Sequence, residues 1–349
     1  MRAAKPHDLL GVQALRAAAA LMVVAYHAVD QWTTHRTGYP PGDLWPNGSA
    51  GVDVFFVISG LVMTISVQRN QNRPHPAWSF ARDRLIRIVP LYWIVTTLKI
   101  AAVVALPALA TRTRLDPLYV AGSYALLPVH DWTGTLRPVL PVGWTLTYEM
   151  FFYILVTVAL CVRMPLERVC APILAIVAVL GVVGPDNGFA NTIVLEFLAG
   201  VAIGRLMERL QQMSLTLASA LGVCGFGVLV VAPLPNGDLR PLIWGVPAAL
   251  LVVAVVAAEA ALRRVTPRWL LAAGNASYAT YLTHGFVVPA VYLVIGHISN
   301  NNEAGLAAMI ALSLLLSAAG GQITHVVLEQ PVLAFLRHRR TAPAAMAPG

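Results

Sequence analysis

The sequence predicts an all-α polytopic membrane protein of about ten transmembrane helices with both termini cytoplasmic. Two compositional facts and one pattern lead there. Of 349 residues, 58% are apolar and only 11% are charged, against about 25% charged in an ordinary soluble domain. Mean hydropathy is +0.70. So few charges leave a soluble surface of this size uncovered, which sets aside disorder, coiled coil and cytosolic enzyme. The pattern is a series of apolar runs, each near the roughly 20 residues a bilayer requires.

In chain order the runs lie near 12–29, 51–67, 88–109, 143–162, 169–184, 189–206, 215–233, 241–259, 272–297 and 304–328. Some are short, and Pro and Gly interrupt others, which membrane helices tolerate where neighbours re-satisfy the backbone. The apolar stretch 118–129 is too short to cross and reads as re-entrant or interfacial. With the N-terminus inside, 17 of the 24 Lys and Arg fall in inner segments and five (Arg36, Arg112, Arg114, Arg137, Arg240) in outer loops. Arg16 and Lys99 lie within spans. The net charge of +8 is therefore a positive-inside bias and not a nucleic-acid footprint. Arg2 and Lys5 before an apolar run imitate a signal peptide, but Arg16 and His27 lie in that run and no small-residue cleavage site follows. Cys161, Cys170 and Cys224 form neither a disulfide framework nor a CxxC pair. Residues 1–340 read as one integral membrane domain and 341–349 as a disordered tail.

Ionisable groups at membrane depth are functional candidates. In the first span Arg16 and His27 are eleven residues apart, close to three helical turns, so they share a face. His27 then stands roughly 22 Å up its span, Ser59 about 12 Å and Glu149 about 9 Å below the outer surface, one layer on three helices. Asp53, nearer the mouth, reads as solvated or as a helix cap. Glu196 reads as an interhelical contact. The ninth span carries Tyr278, Tyr281 and His284. On the inner side the loop 68–87 holds five Arg and ends in Arg82, Arg84 and Arg87 at the mouth of the third span. Guanidinium suits bidentate phosphate recognition, so a phosphorylated cytoplasmic donor reaching up toward proton-transfer groups fits the pattern. Each residue also has a structural alternative. The arginines suit anchoring to anionic lipid, His27 a helix-contact histidine and Glu149 a simple ion pair. Trp144 suits an interfacial anchor, and His284 and the tyrosines suit packing.

Six segments in order resemble one family. They are Gln13-Ala-Leu-Arg16 with His27; Gly51-Val-Asp-Val-Phe-Phe-Val-Ile-Ser-Gly60; Arg82-Asp-Arg-Leu-Ile-Arg-Ile-Val-Pro-Leu-Tyr-Trp93; Gly143-Trp-Thr-Leu-Thr-Tyr-Glu-Met-Phe-Phe-Tyr153; Ser277-Tyr-Ala-Thr-Tyr-Leu-Thr-His284; and Glu329-Gln-Pro331. Together they resemble the acyltransferase family 3 membrane proteins. The Pro141–Glu149 stretch is most similar to the exopolysaccharide acyltransferases of the succinoglycan type. The resemblance implies transfer of an acyl group, usually acetyl, from cytoplasmic acyl-CoA to a sugar hydroxyl at the outer face of the inner membrane. The acceptor would be a glycan or a lipid-linked sugar.

By position, the resemblance makes His27 the essential histidine and Arg16 the basic residue before it. Ser59 and Gly60 become the Ser-Gly pair, with Leu61 where Phe is usual. Arg84 and Arg87, with Arg82 beside them, become the acyl-CoA arginines, and Trp144 and Glu149 the Trp and Glu of the fourth motif. The mechanism so implied has His27 as general base, Glu149 orienting it, and Ser59 near the oxyanion. A covalent acyl-His27 route stays open beside direct transfer. Tyr148, Tyr281 and His284 are candidate pocket residues. No local spacing suggests a metal, and acyl-CoA enters as a substrate and not as a resident cofactor. A proton-coupled transporter of a sugar or acyl compound is the alternative. It is disfavoured because no matching halves with paired broken helices are evident.

Overall fold

The computed structural model describes residues 9–36, 45–71, 73–106, 115–184, 189–235, 237–299 and 302–338. The predicted tail 341–349 and the charges Arg2, Lys5, Arg112, Arg114, Arg339 and Arg340 lie outside the described residues. Every named element there is helical, and the single β-type contact is an isolated bridge between His130 and Leu136. The helices are α1 (Leu10–Arg36), α2 (Gly51–Asn70), α3 (Pro76–Ala105), α4 (Pro117–Tyr124), α5 (Trp144–Cys161), α6 (Leu166–Val183) and α7 (Leu195–Leu210). They continue with α8 (Leu215–Val231), α9 (Val246–Ala257), α10 (Glu259–Val265), α11 (Arg268–Asn275), α12 (Ser277–Ile298), α13 (Glu303–Thr324) and α14 (Gln330–His338).

Each of the ten expected apolar runs coincides with a helix, but the helices differ in their capacity to span. Among the described residues, seven helices or helix runs are long and apolar enough to cross a membrane, and an eighth is added if α9 and α10, bent by 74°, count as one. The seventeen-residue α8 falls just short. The sixteen-residue α7 carries Glu196, Arg205, Glu208 and Arg209, and its expected first turns are a 3-10 turn at Thr192–Val194. An apolar run in sequence therefore overstates the straight helix available there.

Two further boundaries differ from expectation. The third helix begins at Pro76, so Arg82, Arg84 and Arg87 occupy its first turns and not a loop. Proline suits the start of a helix, where its missing N–H is not needed. The stretch 118–129 splits into α4 and an irregular return. Asp116 caps α4 by accepting from the N–H groups of Leu118 and Tyr119, and Leu126 takes a positive φ of 56°. Tyr92 and Trp93 on α3 tie α4 down by donating to the carbonyls of Ser123 and Tyr124.

The bundle is built around α2, of which 83% of the apolar window is buried. It crosses α7 where Gly60 faces Gly200, with Cα-level contact that a side chain on either residue would block. Small residues permit such close helix approach, which is how membrane helices gain packing when lipid offers no hydrophobic drive. Phe56 of α2 stacks on Phe197 of α7 at 4.6 Å, and Phe152 of α5 stacks on the other side of that ring at 4.4 Å. The start of α1 is held by Glu259, whose two carboxylate oxygens accept from the N–H groups of Leu10 and Gly11 at 2.9 and 3.0 Å. A carboxylate at a helix N-terminus also complements the helix dipole. This contact fixes the axial position of the helix that carries Arg16 and His27.

Candidate active site

A cavity of about 150 Å³ opens between α1, α2, α3, α5 and α12. Its apolar wall includes Val52, Phe55, Phe56, Val62 and Met63. Its charged lining is three guanidiniums, Arg16, Arg84 and Arg87, against one carboxylate, Glu149. That balance favours an anionic ligand, and Arg is the side chain that binds phosphate oxygens in pairs.

The helices place these groups by simple register. Arg84 and Arg87 stand three apart on the first turns of α3 and so share a face. Arg84 donates to Ser66 Oγ at 2.6 Å and lies over the rings of Phe80 and Tyr153, 5.5 and 5.9 Å from their centroids. Its Nε is buried without a hydrogen-bond partner among the described residues. Arg16 donates from Nε to Ser277 Oγ at 3.3 Å. Glu149 Oε1 accepts from Ser59 Oγ at 3.3 Å and from the Tyr153 hydroxyl at 2.5 Å. Tyr281 closes the wall nearest the N-terminus of α5, where its hydroxyl meets Thr145 Oγ1 at 3.0 Å and the Val142 carbonyl at 3.2 Å.

His27 does not line this cavity. Its ring stacks on that of His284 at 5.1 Å and 29°, and His284 follows Tyr281 by one turn of α12. Among the described residues no hydrogen bond joins His27 to Glu149; the carboxylate is engaged by Ser59 and Tyr153 instead. The expected single layer of His27, Ser59 and Glu149 is therefore not observed. The N-terminal end of α2 lies beside Ala19 and Val23 of α1, so the second half of α1 runs on past it. Arg16 lines the cavity together with Ser59 and Glu149, and His27 stands eleven residues, or about 16 Å of helix rise, further along α1. Depth counted from the start of each apolar run assumed flush helices, and these are staggered.

The remaining candidates separate clearly. Arg82 lies on α3 outside the cavity lining. Trp144 packs edge-on to Tyr148, and Tyr148 stacks on Phe189 at 5.3 Å; neither reaches the cavity. Gly60 serves the α2–α7 crossing. Sequence reasoning passed over Tyr153, although its place one turn after Glu149 marked a shared helix face. Asp53 proves neither solvated nor a cap. It is fully buried and accepts from Nε and Nη2 of Arg240 at 2.9 and 2.7 Å, and Arg240 in turn lies 5.0 Å from the Trp244 ring centroid. No local pattern links partners 187 residues apart. Glu196 is buried beside this pair, against Asp53. Among the described residues no group of His, Cys, Asp or Glu is arranged to hold a metal ion.

Comparison with known proteins decides the family. The acyltransferase domain family, Acyl_transf_3, matches residues 9–321. The chain belongs to this acyltransferase family. A curated relative is the exopolysaccharide production protein ExoZ of Rhizobium meliloti (strain 1021). It is 34% identical over 310 residues, which cover 84% of this chain and 92% of ExoZ. The acyltransferase MdmB of Streptomyces mycarofaciens is 27% identical over 382 residues, covering 96% of this chain and 93% of MdmB. No solved structure gives a significant match. Family and apolar helices together make this a multi-pass membrane acyltransferase, and they leave the transporter alternative without support.

Proposed function

We propose that this acyltransferase moves an acyl group, most simply acetyl, from cytoplasmic acyl-CoA to a sugar hydroxyl of an exopolysaccharide or lipid-linked saccharide. The carrying observation is the cavity in which Arg16, Arg84 and Arg87 face Ser59, Glu149 and Tyr153. The name of ExoZ supports a polysaccharide acceptor. In this reading the protein resides in the inner membrane as one domain of about ten spans, with both termini cytoplasmic as the Arg distribution favours. The arginine end then faces the cytoplasm.

The arginines hold the phosphates of the donor in the cavity beside Ser59 and Glu149, and its extended arm carries the thioester onward along α1 to His27. The acceptor approaches from the opposite side, by way of His27. Its hydroxyl oxygen attacks the thioester carbonyl carbon while His27 takes the proton. The attack leaves a tetrahedral oxyanion, and Ser59, whose hydroxyl is given to Glu149, is not the group that meets it. Collapse breaks the C–S bond, and the thiolate leaves and recovers the proton from His27. Glu149 stabilises the positive charge that passes through the site, acting across the cavity and not by direct contact with the imidazole.

Radiolabelled acetyl-CoA tests the reading, with membranes holding the intact protein, His27→Ala or Glu149→Ala at equal expression. Label in saccharide with the intact protein and in neither variant is the expected result. No label with acetyl-CoA or any other acyl-CoA would overturn the reading, and label surviving His27→Ala would overturn the assignment of the base.

A further inference from the structure

His284 is the buried titratable group that the mechanism above leaves without work. It is 1% exposed. Its Nδ1 lies 2.7 Å from the Tyr281 carbonyl oxygen. A carbonyl oxygen only accepts, so Nδ1 carries the proton, and in neutral imidazole Nε2 is then an acceptor. That Nε2 is buried and has no hydrogen-bond partner among the described residues. Buried polar atoms in folded proteins are overwhelmingly paired, and an orphan calls for a reason. The stacking geometry excludes His27 as the missing donor. Ring lone pairs lie in the plane of the imidazole, and the two planes face each other at 29°.

The orphan acceptor is thus beside the proposed base, and it lacks an O–H or N–H donor. The reacting hydroxyl has one proton, which goes to His27, so a donor to His284 must be a different group. Resting on the acyltransferase reading, we propose that His284 Nε2 binds a second hydroxyl of the same acceptor. The site would then select polyhydroxylated acceptors, sugars, over simple alcohols. An acceptor lacking the second hydroxyl would leave the nitrogen buried and unpaired, and sites built around such a hydrogen bond discriminate strongly against ligands that lack it. No bond forms or breaks at His284; it binds and orients the sugar.

The test is steady-state acetyl transfer in membranes, with acetyl-CoA as donor and lipid-linked saccharide extracted from the organism's own membranes as acceptor, each varied separately. His284→Leu should raise the half-saturating acceptor concentration about tenfold, as expected for one lost hydrogen bond, and leave the KM for acetyl-CoA unchanged. His284→Gln, whose amide oxygen accepts in place of Nε2, should recover most of that loss. His284→Phe keeps a ring without the nitrogen and carries the same expectation as Leu should the Leu variant fail to fold. Unchanged acceptor saturation in Leu and Phe, equal loss in Gln, or a shift in donor KM instead would overturn the inference. A wild type that transfers no label marks failure of the acyltransferase reading. An active wild type with indifferent His284 variants marks failure of this inference alone.

Discussion

Gly60 separates packing from catalysis most sharply. A Cβ added there would stand 2.9 Å from both Gly200 Cα and Val201 N and would collide with the Phe197 carbonyl. Ordinary van der Waals contact begins near 3.4 Å, and the Phe197 carbonyl is the nearest obstacle, so Gly60→Ala must push α2 and α7 apart by about 1 Å. All three obstacles are backbone atoms, so none yields by changing rotamer. Overpacking of this kind costs about 1–3 kcal/mol, partly offset by about 0.5–1 kcal/mol from replacing a mid-helix glycine. The net of about 1–2 kcal/mol lowers the melting temperature by roughly 1–3 °C in a chain of this size. Thermal melting in detergent, followed by tryptophan fluorescence, reads it directly. Gly200→Ala should lose a similar amount, and the double variant less than the sum, because the first alanine already separates the helices. An unchanged melting temperature for Gly60→Ala would refute the packing account. So would abolished activity at an unchanged melting temperature, which would return Gly60 to the catalytic machinery.

Three other perturbations probe the site and its surroundings. Arg87→Ala should raise the KM for acetyl-CoA by about 10- to 100-fold, the worth of a hydrogen bond to a charged group. Arg87→Lys should recover only some of it, since ammonium lacks the bidentate fork; initial rates against acetyl-CoA concentration check both. Tyr153→Phe removes the hydroxyl that donates to Glu149 but keeps the ring beneath Arg84, so kcat should fall roughly tenfold with the melting temperature held within about 1 °C. Asp53→Ala leaves the Arg240 guanidinium unpaired. Its side chain is 21% exposed and so reaches some water, which limits the loss to about 1–3 kcal/mol. A double-mutant cycle with Arg240→Ala should show coupling above about 1 kcal/mol.

The sequence makes the helical membrane class legible because composition alone sets it. It places the ten apolar helices because apolar runs and helices coincide in a bilayer, and it does not place α10, α11 and α14. It does not reveal which helices are long enough, because α7 begins with a 3-10 turn and α9 bends into α10. At the site, local spacing is enough for Arg84 with Arg87, and motif order is enough to bring Ser59 and Glu149 into one cavity. Axial stagger is invisible to such reasoning. The position of α1 depends on Glu259, far away in sequence, and this is why Arg16 and not His27 lines the cavity together with Glu149. The Asp53–Arg240 pair and the free Nε2 of His284 are likewise products of tertiary packing, with no trace in spacing.

Sidedness of acyl transfer tests the account's central claim most directly. Sealed inverted vesicles expose the cytoplasmic face, and right-side-out vesicles expose the other. With labelled acetyl-CoA added outside, inverted vesicles should label saccharide, and right-side-out vesicles should do so only once permeabilised. Equal labelling of both intact preparations, or labelling confined to right-side-out vesicles, would contradict a donor that enters at the arginine end of the cavity from the cytoplasm.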